Sequence, residues 1–224
     1  MSKTATLEFD GKKYEFPVTV GTEDEIGVDI KKLRGEAGII TLDPGFKNTG
    51  SCESAITFLD GEKGILRYRG YAIEDLAEKA DFLEVVYLLI FGELPNKQQL
   101  EKFNNDIKEQ SHVDEEMKKI LDGFPKSAHP MGVLSSLTSA LIAFNPSSVD
   151  VSSEADMYKA IVKILGKFPV LAAWTLRKKN SLPLNYGDEN LGYVENLHKM
   201  MFEKPNKTYS VDKAVIDALD KLLI

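Results

Sequence analysis

The stretch DFLEVVYLLIFGELPNKQQ, Asp81–Gln99, decides the fold class. Asp81 stands directly before the apolar run Phe82–Phe91 and three residues before Glu84. That is the pattern of a capping box: a short polar side chain accepts from the third backbone amide of the helix, and the residue there reaches back. Gly92 closes the run, as a residue able to turn left-handed does at a helix C-terminus. Pro95-Asn96 then opens a second helix, Lys97–Lys108, with Asn96 and Gln99 as its own box. Two helices with legible starts follow one another directly.

Helical spacing continues toward the C-terminus. It predicts helices over Asp114–Phe124, Pro130–Phe144, Ser153–Lys167, Pro169–Asn180, Asn190–Phe202 and Ser210–Ile224. Pro130 and Pro169 suit first-turn positions, where a missing N–H costs nothing. Toward the N-terminus the period changes. Thr6–Phe9 and Tyr14–Val18 flank Asp10-Gly11, and Ala55–Leu59 and Ile65–Tyr68 flank Asp60-Gly61, two hairpin signals. Leu42–Ser54 between them reads as an extended loop. The expectation is a mainly α, multi-helical chain with a small N-terminal β region: residues 1–70 strands and loops, residues 71–224 helical.

The chain has 224 residues and a formal charge of −7, which argues against a nucleic-acid partner because phosphate binding wants a basic surface. Cys52 is the only cysteine, so an internal disulfide and a multi-cysteine zinc site are excluded. No apolar stretch approaches the ~20 residues of a membrane helix, and MSKTATLEFD has no apolar signal core. We expect a cytoplasmic protein.

Helix Pro130–Phe144, PMGVLSSLTSALIAF, carries no charge. Ser135, Ser136, Thr138, Ser139, Ala140 and Ala143 supply small side chains that let another helix come close. Two readings stand: a helix buried within one chain, or a helix that packs on its copy in a homodimer. His112, His129 and His198 are too far apart in sequence for a local metal pair. His129 precedes Pro130, where it can satisfy a helix start. His198 lies three residues after Glu195, which invites a pair on one helix face, and it neighbours Leu191, Val194 and Met201. Arg67 and Arg69 alternate along a strand and so share a face, for a structural ion pair or for an anion. Arg177-Lys178-Lys179 reads as solvated charge at a helix end, where cations suit the dipole. No P-loop, GxGxxG, GxSxG or HExxH motif occurs. The final helix keeps apolar spacing through Val211, Ala214, Val215, Ala218, Leu219, Leu222 and Leu223 and shows no stop signal.

Several segments, in order, resemble citrate synthase of the bacterial hexameric type: TLDPGFKNTGSCES (Thr41–Ser54), AITFLDGEKGILRYRGYAI (Ala55–Ile73), FLEVVYLLIFGELP (Phe82–Pro95), AHPMGVLSSLTSALIAF (Ala128–Phe144) and NLGYVENLHKMMF (Asn190–Phe202). The resemblance implies the condensation of oxaloacetate with acetyl-CoA and water to give citrate and CoA, with acetyl-CoA a substrate and no cofactor. It implies a homodimer or hexamer assembled through Pro130–Phe144. In the family a histidine-rich segment of the LHADHE kind follows a helix like Asp212–Ile224, and the catalytic aspartate and substrate arginines come later. His112, His129 and His198 match none of those positions. No catalytic, cofactor or metal residue is therefore carried over, and the expectation is the front portion of the family's large domain, inactive by itself. The alternatives are a portion of a 2-methylcitrate synthase or a non-catalytic helical assembly module. Some members bind NADH in this region. Lys163 and Lys167 match basic positions used there, but Asn145 and Asn206 stand where those members carry Tyr and Cys, and Glu109-Gln110 replaces an Arg-His pair. Weak or absent NADH regulation is expected.

Overall fold

A computed structural model describes residues 3–145 and 152–224. Its contacts group into two units, one up to Ala55 and one from Ile56 to Ile224. In the first, β1 (Thr4–Phe9), β2 (Lys12–Val20) and β3 (Ile26–Val28) form an antiparallel sheet in that order. The β1–β2 turn is the Asp10-Gly11 pair, with φ of 53° and 75°, and it sets Phe9 opposite Lys12. Two positive φ values suit the right-handed twist of the strands they join. The short helix α1 (Leu33–Ala37) and β3 were not anticipated; both are too short to show a period. Leu42–Ser54 contains neither helix nor strand, as expected.

The second unit opens on β4 (Thr57–Asp60), β5 (Ile65–Tyr68) and β6 (Tyr71–Ala72), also antiparallel and in order. Helices follow: α2 (Ile73–Lys79), α3 (Phe82–Phe91), α4 (Lys97–Glu109), α5 (Met117–Asp122), α6 (Pro130–Phe144), α7 (Glu154–Lys179), α8 (Tyr193–Phe202) and α9 (Lys213–Leu223). Both capping boxes form as read. Asp81 Oδ1 accepts from the Glu84 amide at 2.9 Å while Glu84 Oε2 accepts from the Asp81 amide at 2.9 Å. Asn96 and Gln99 exchange the same pair at 2.9 and 2.8 Å. Gly92 ends α3 at φ 86°. The mainly α class with a small β region holds.

The core is built around α7. One cluster joins Met117 and Leu121 of α5, Val133, Leu137 and Leu141 of α6, and Leu171 and Trp174 of α7. A second joins Leu83 of α3 and Phe103 and Ile107 of α4 to Val162 of α7. The third is smaller: Leu76, Val85 and Leu88, with Ile224 packed against them.

The two helices expected over Ser153–Lys167 and Pro169–Asn180 are one helix of 26 residues, with Pro169 inside it. Proline withholds the N–H that would bond the carbonyl four residues back. Here that carbonyl, on Leu165, accepts from the Tyr193 hydroxyl at 2.9 Å. A side chain from α8 thus supplies the donor that Pro169 lacks, and the helix continues. Gly166 serves the same region. A Cβ there would lie 2.6 Å from the Ile107 carbonyl oxygen and 2.8 Å from the Gln110 carbonyl carbon, so only glycine lets α7 press against the end of α4.

Candidate functional site

A cavity in the second unit has a volume of about 540 Å³. Residues from α4, α7, α8 and α9 line it, together with the connection around residues 186–192. Arg177, which is only 2% exposed, ties the segment leading into that connection to the C-terminal end of α8. Its guanidinium donates to the carbonyls of Pro183, Met200 (3.1 Å) and Glu203 (2.8 Å). Five donors in a rigid fork can satisfy three carbonyls at once. The solvated role expected for Arg177 is therefore overturned: burial against the carbonyls of Pro183, Met200 and Glu203 outweighs its position near a helix end. Lys178 is half-buried and pairs with the exposed Asp122 at 2.9 Å.

The connection is fastened at further points. Trp174, fully buried, donates its Nε1–H to the Asn185 carbonyl at 3.1 Å. The Asp188 amide donates to Asn196 Oδ1 at 2.8 Å, and the Asp188 carboxylate accepts from Lys199 at 2.9 Å. The Lys199 ammonium, then the Asn190 amide, hold the Asp188 carboxyl down to about 2. Gly187 takes φ 85° directly against Asn196, where any side chain would collide with it.

The cavity walls mix apolar groups such as Leu83, Ile107 and Val170 with Asp188, Glu189, Glu195 and Asp220. Asn104 Oδ1 is buried without a hydrogen-bond partner at this wall. Lys108 lines it too and donates to the Glu189 carbonyl at 3.1 Å. Burial pushes the Asp220 carboxyl up, and Asp81, Asp217 and Glu84 add to this, while its bond from the Phe82 amide at 3.0 Å pulls it down. Carboxylates dominate this wall, which makes it a poor cradle for phosphate.

The histidines are spread across the second unit. His129 Nδ1 accepts from the Met131 amide at 3.2 Å, so it caps α6 as expected. His198 Nδ1 lies 3.1 Å from the Tyr209 hydroxyl and its ring packs on Phe202; the bonded partner is Tyr209 rather than Glu195. The His112 carbonyl accepts from Lys167. Lys167 is 9% exposed, and burial, then the neighbouring Lys163, push its pKa down. Arg67 and Arg69 do not share a strand face. β5 ends at Tyr68, and Arg69 sits in the β5–β6 turn at φ 50°. From there its guanidinium donates to the Leu89 carbonyl near the C-terminus of α3 at 2.8 Å, a favourable place for a cation. One face of α6 is buried within the chain and the other is exposed. Val133, Leu137 and Leu141 are buried, while Met131 (64% exposed), Ser135, Ser136, Ser139 and Ala143 face outward.

Sequence reasoning missed Arg177, Gly166 and Tyr193. The signal for two of them was present: a glycine and a proline three residues apart inside one long apolar period mark a close approach and an unpaired carbonyl, not a helix boundary.

The fold is an all-α assembly with a small antiparallel sheet region. The crystal structure of citrate synthase from Thermotoga maritima is similar to it with a TM-score of 0.65, at 30% identity, covering 81% of this chain and 45% of that one. Residues 45–224 match the family model described as citrate synthase, C-terminal domain. The citrate synthase of Corynebacterium glutamicum is 44% identical over 220 residues, which takes in 98% of this chain and 50% of that protein. Citrate synthase 1 of Mycobacterium tuberculosis is 41% identical over 221 residues, 99% of this chain and 51% of that protein. The chain belongs to the citrate synthase family. It spans about half the length of these relatives. Among the described residues, no helix is long and apolar enough to cross a membrane.

Proposed function

We propose that this chain is the N-terminal portion of a citrate synthase, an enzyme that condenses oxaloacetate with acetyl-CoA and water to give citrate and CoA. The observation that carries this is the 44% identity to such an enzyme over 98% of the chain. The chain itself supplies scaffold and assembly surface and no catalytic residue. In support, His129 and His198 are taken up in a helix cap and a tyrosine hydrogen bond, and His112 contributes its carbonyl. The chain pairs with a second copy through α6, whose outward face is small and uncharged over Gly132, Ser135, Ser136, Ser139 and Ala143. It works in the cytoplasm, in keeping with its exposed thiol Cys52. NADH regulates it weakly or not at all, since Lys167 is buried on the His112 carbonyl and Glu189 stands at the cavity wall.

The test has two arms. Purified chain, assayed for thiol release with oxaloacetate and acetyl-CoA, forms no citrate above background; turnover would show catalytic residues within residues 1–224. Fusing the chain to the part of the C. glutamicum enzyme outside the 220 aligned residues restores citrate formation. A folded fusion without turnover would count against the proposed activity.

A further inference from the structure

The cavity between α4, α7, α8 and α9 is rich in acceptors and short of positive charge. Asn104 Oδ1 is buried at its wall and accepts no hydrogen bond from the described residues. A polar atom taken out of water normally finds a partner, and keeping it without one is costly. Asp81 at the start of α3, Glu195 of α8 and Asp220 of α9 line the same cavity. Asp188 there is matched by Lys199 at 2.9 Å, but among the described residues no lysine, arginine or histidine pairs with Asp81, Glu195 or Asp220. Lys108, also on the wall, donates to the Glu189 carbonyl at 3.1 Å. The want of a cation is felt at Asp220. Burial raises its carboxyl, and Asp81, Asp217 and Glu84 raise it further, against the pull of the Phe82 amide.

Elsewhere in the unit carboxylates hold lysines: Asp106 pairs with Lys102, Glu115 with Lys118 and Asp156 with Lys159. The chain is not poor in lysine; it keeps lysine off these three acids. Apolar surface completes the lining, with Leu83, Ile107, Val170, Val194 and Met200 all buried along it. About 540 Å³ is an ordinary volume for a small-molecule site, and apolar walls with a few converging polar groups are the usual chemistry of one. Such walls select a ligand that carries a charged N–H group on an apolar body. The charge answers the carboxylates, the N–H answers the amide oxygen, and the body fills the rest. A metal ion matches less well, since among the described residues no three metal-ligating side chains gather.

We propose that this cavity binds a small organic cation, an amidinium or ammonium on an apolar body, whose N–H group donates to Asn104 Oδ1 and whose charge is balanced by Glu195 and Asp220. The inference stands apart from the proposed function, and its test needs no turnover.

Benzamidine is the probe, with benzamide and benzoate as its neutral and anionic counterparts of similar shape. Each is titrated into purified chain by calorimetry at constant ionic strength. Benzamidine is expected to bind, benzamide at least about tenfold more weakly, and benzoate not at all. Asn104→Leu removes the unmatched acceptor. The chain should then unfold in denaturant at the wild-type midpoint or above it, while benzamidine binding falls at least about tenfold. Asp220→Asn lowers the affinity as well. Glu116→Gln, an equal loss of charge at an exposed pair with Lys119 outside the cavity, leaves it unchanged. No binding of benzamidine, equal binding of benzamide, or binding indifferent to Asn104→Leu overturns the proposal. The titration is repeated on the fusion with the part of the C. glutamicum enzyme outside the aligned 220 residues, once circular dichroism shows it folded. Binding persists there; its loss would make the site a gap of the isolated half and overturn the proposal too. Citrate formation is scored separately: a fusion that binds benzamidine without turnover keeps the site and removes the catalytic reading.

Discussion

Gly166 is the residue on which the packing of α4 against α7 turns. The atoms that a Cβ would meet belong to the backbone at Ile107 and Gln110, which cannot swing aside as a side chain can. Gly166→Ala should therefore destabilise the chain by about 1–3 kcal/mol, the range for overpacking, despite the better helix propensity of alanine. Denaturant unfolding measures it, and an unchanged midpoint would mean that α4 yields. Arg177 makes a second residue-scale case. Arg177→Met removes the donor shared by the Pro183, Met200 and Glu203 carbonyls and leaves them facing a methyl group. A loss of at least about 3 kcal/mol is expected, because hydrogen bonds from a charged group exceed neutral ones. Arg177→Lys should rescue only part, since an ammonium cannot hold the same planar fork. Wild-type stability in Arg177→Met would show that the 180–192 connection supports itself. None of this was legible from RKK at a helix end, where composition says solvent and only the returning loop says burial.

At the scale of elements, α9 is the helix whose attachment should respond to pH. Burial among Asp81, Asp217 and Glu84 raises the Asp220 carboxyl above its unfolded value. The folded state then binds this proton more tightly than the unfolded chain does. Its contribution to stability is complete below the ordinary carboxylate range and is lost as pH rises through the raised value. Asp220→Asn keeps an acceptor for the Phe82 amide without the charge. The variant should match or exceed the wild type at neutral pH, and the gap should close on acidification, read as denaturation midpoints across the two conditions. A gap independent of pH would show that Asp220 stays ionised throughout. Element starts and types came straight from the residues: both capping boxes, the Asp10-Gly11 hairpin and the Pro130 start are local chemistry. The break expected near Pro169 failed because its remedy, the Tyr193 hydroxyl, lies on another helix.

At the scale of the molecule, assembly should run through α6. Its buried stripe of Val133, Leu137 and Leu141 already belongs to the core, so the outward small residues are free for a second copy. Ser139→Arg places a long cation on that outward face without touching the stripe. Dimerisation should weaken at least about tenfold, because burying an unpaired charge at an interface is costly. Light scattering reads the shift to monomer, and an unaltered dimer would move the interface elsewhere.

The sequence by itself determined the class of fold, the caps and turns, and the family, because these depend on residues within a few positions of one another or on their order along the chain. It also determined that His129 would cap a helix. Tertiary structure alone decided that α7 runs through Pro169, that Arg177 is buried, that Arg69 serves α3, and that α9 turns leucine outward. Each of those depends on what a distant segment places beside the residue: a hydroxyl, three carbonyls, a helix end or nothing. Local spacing carries a helix's period, but which side of it meets the core is set by the neighbours it finds.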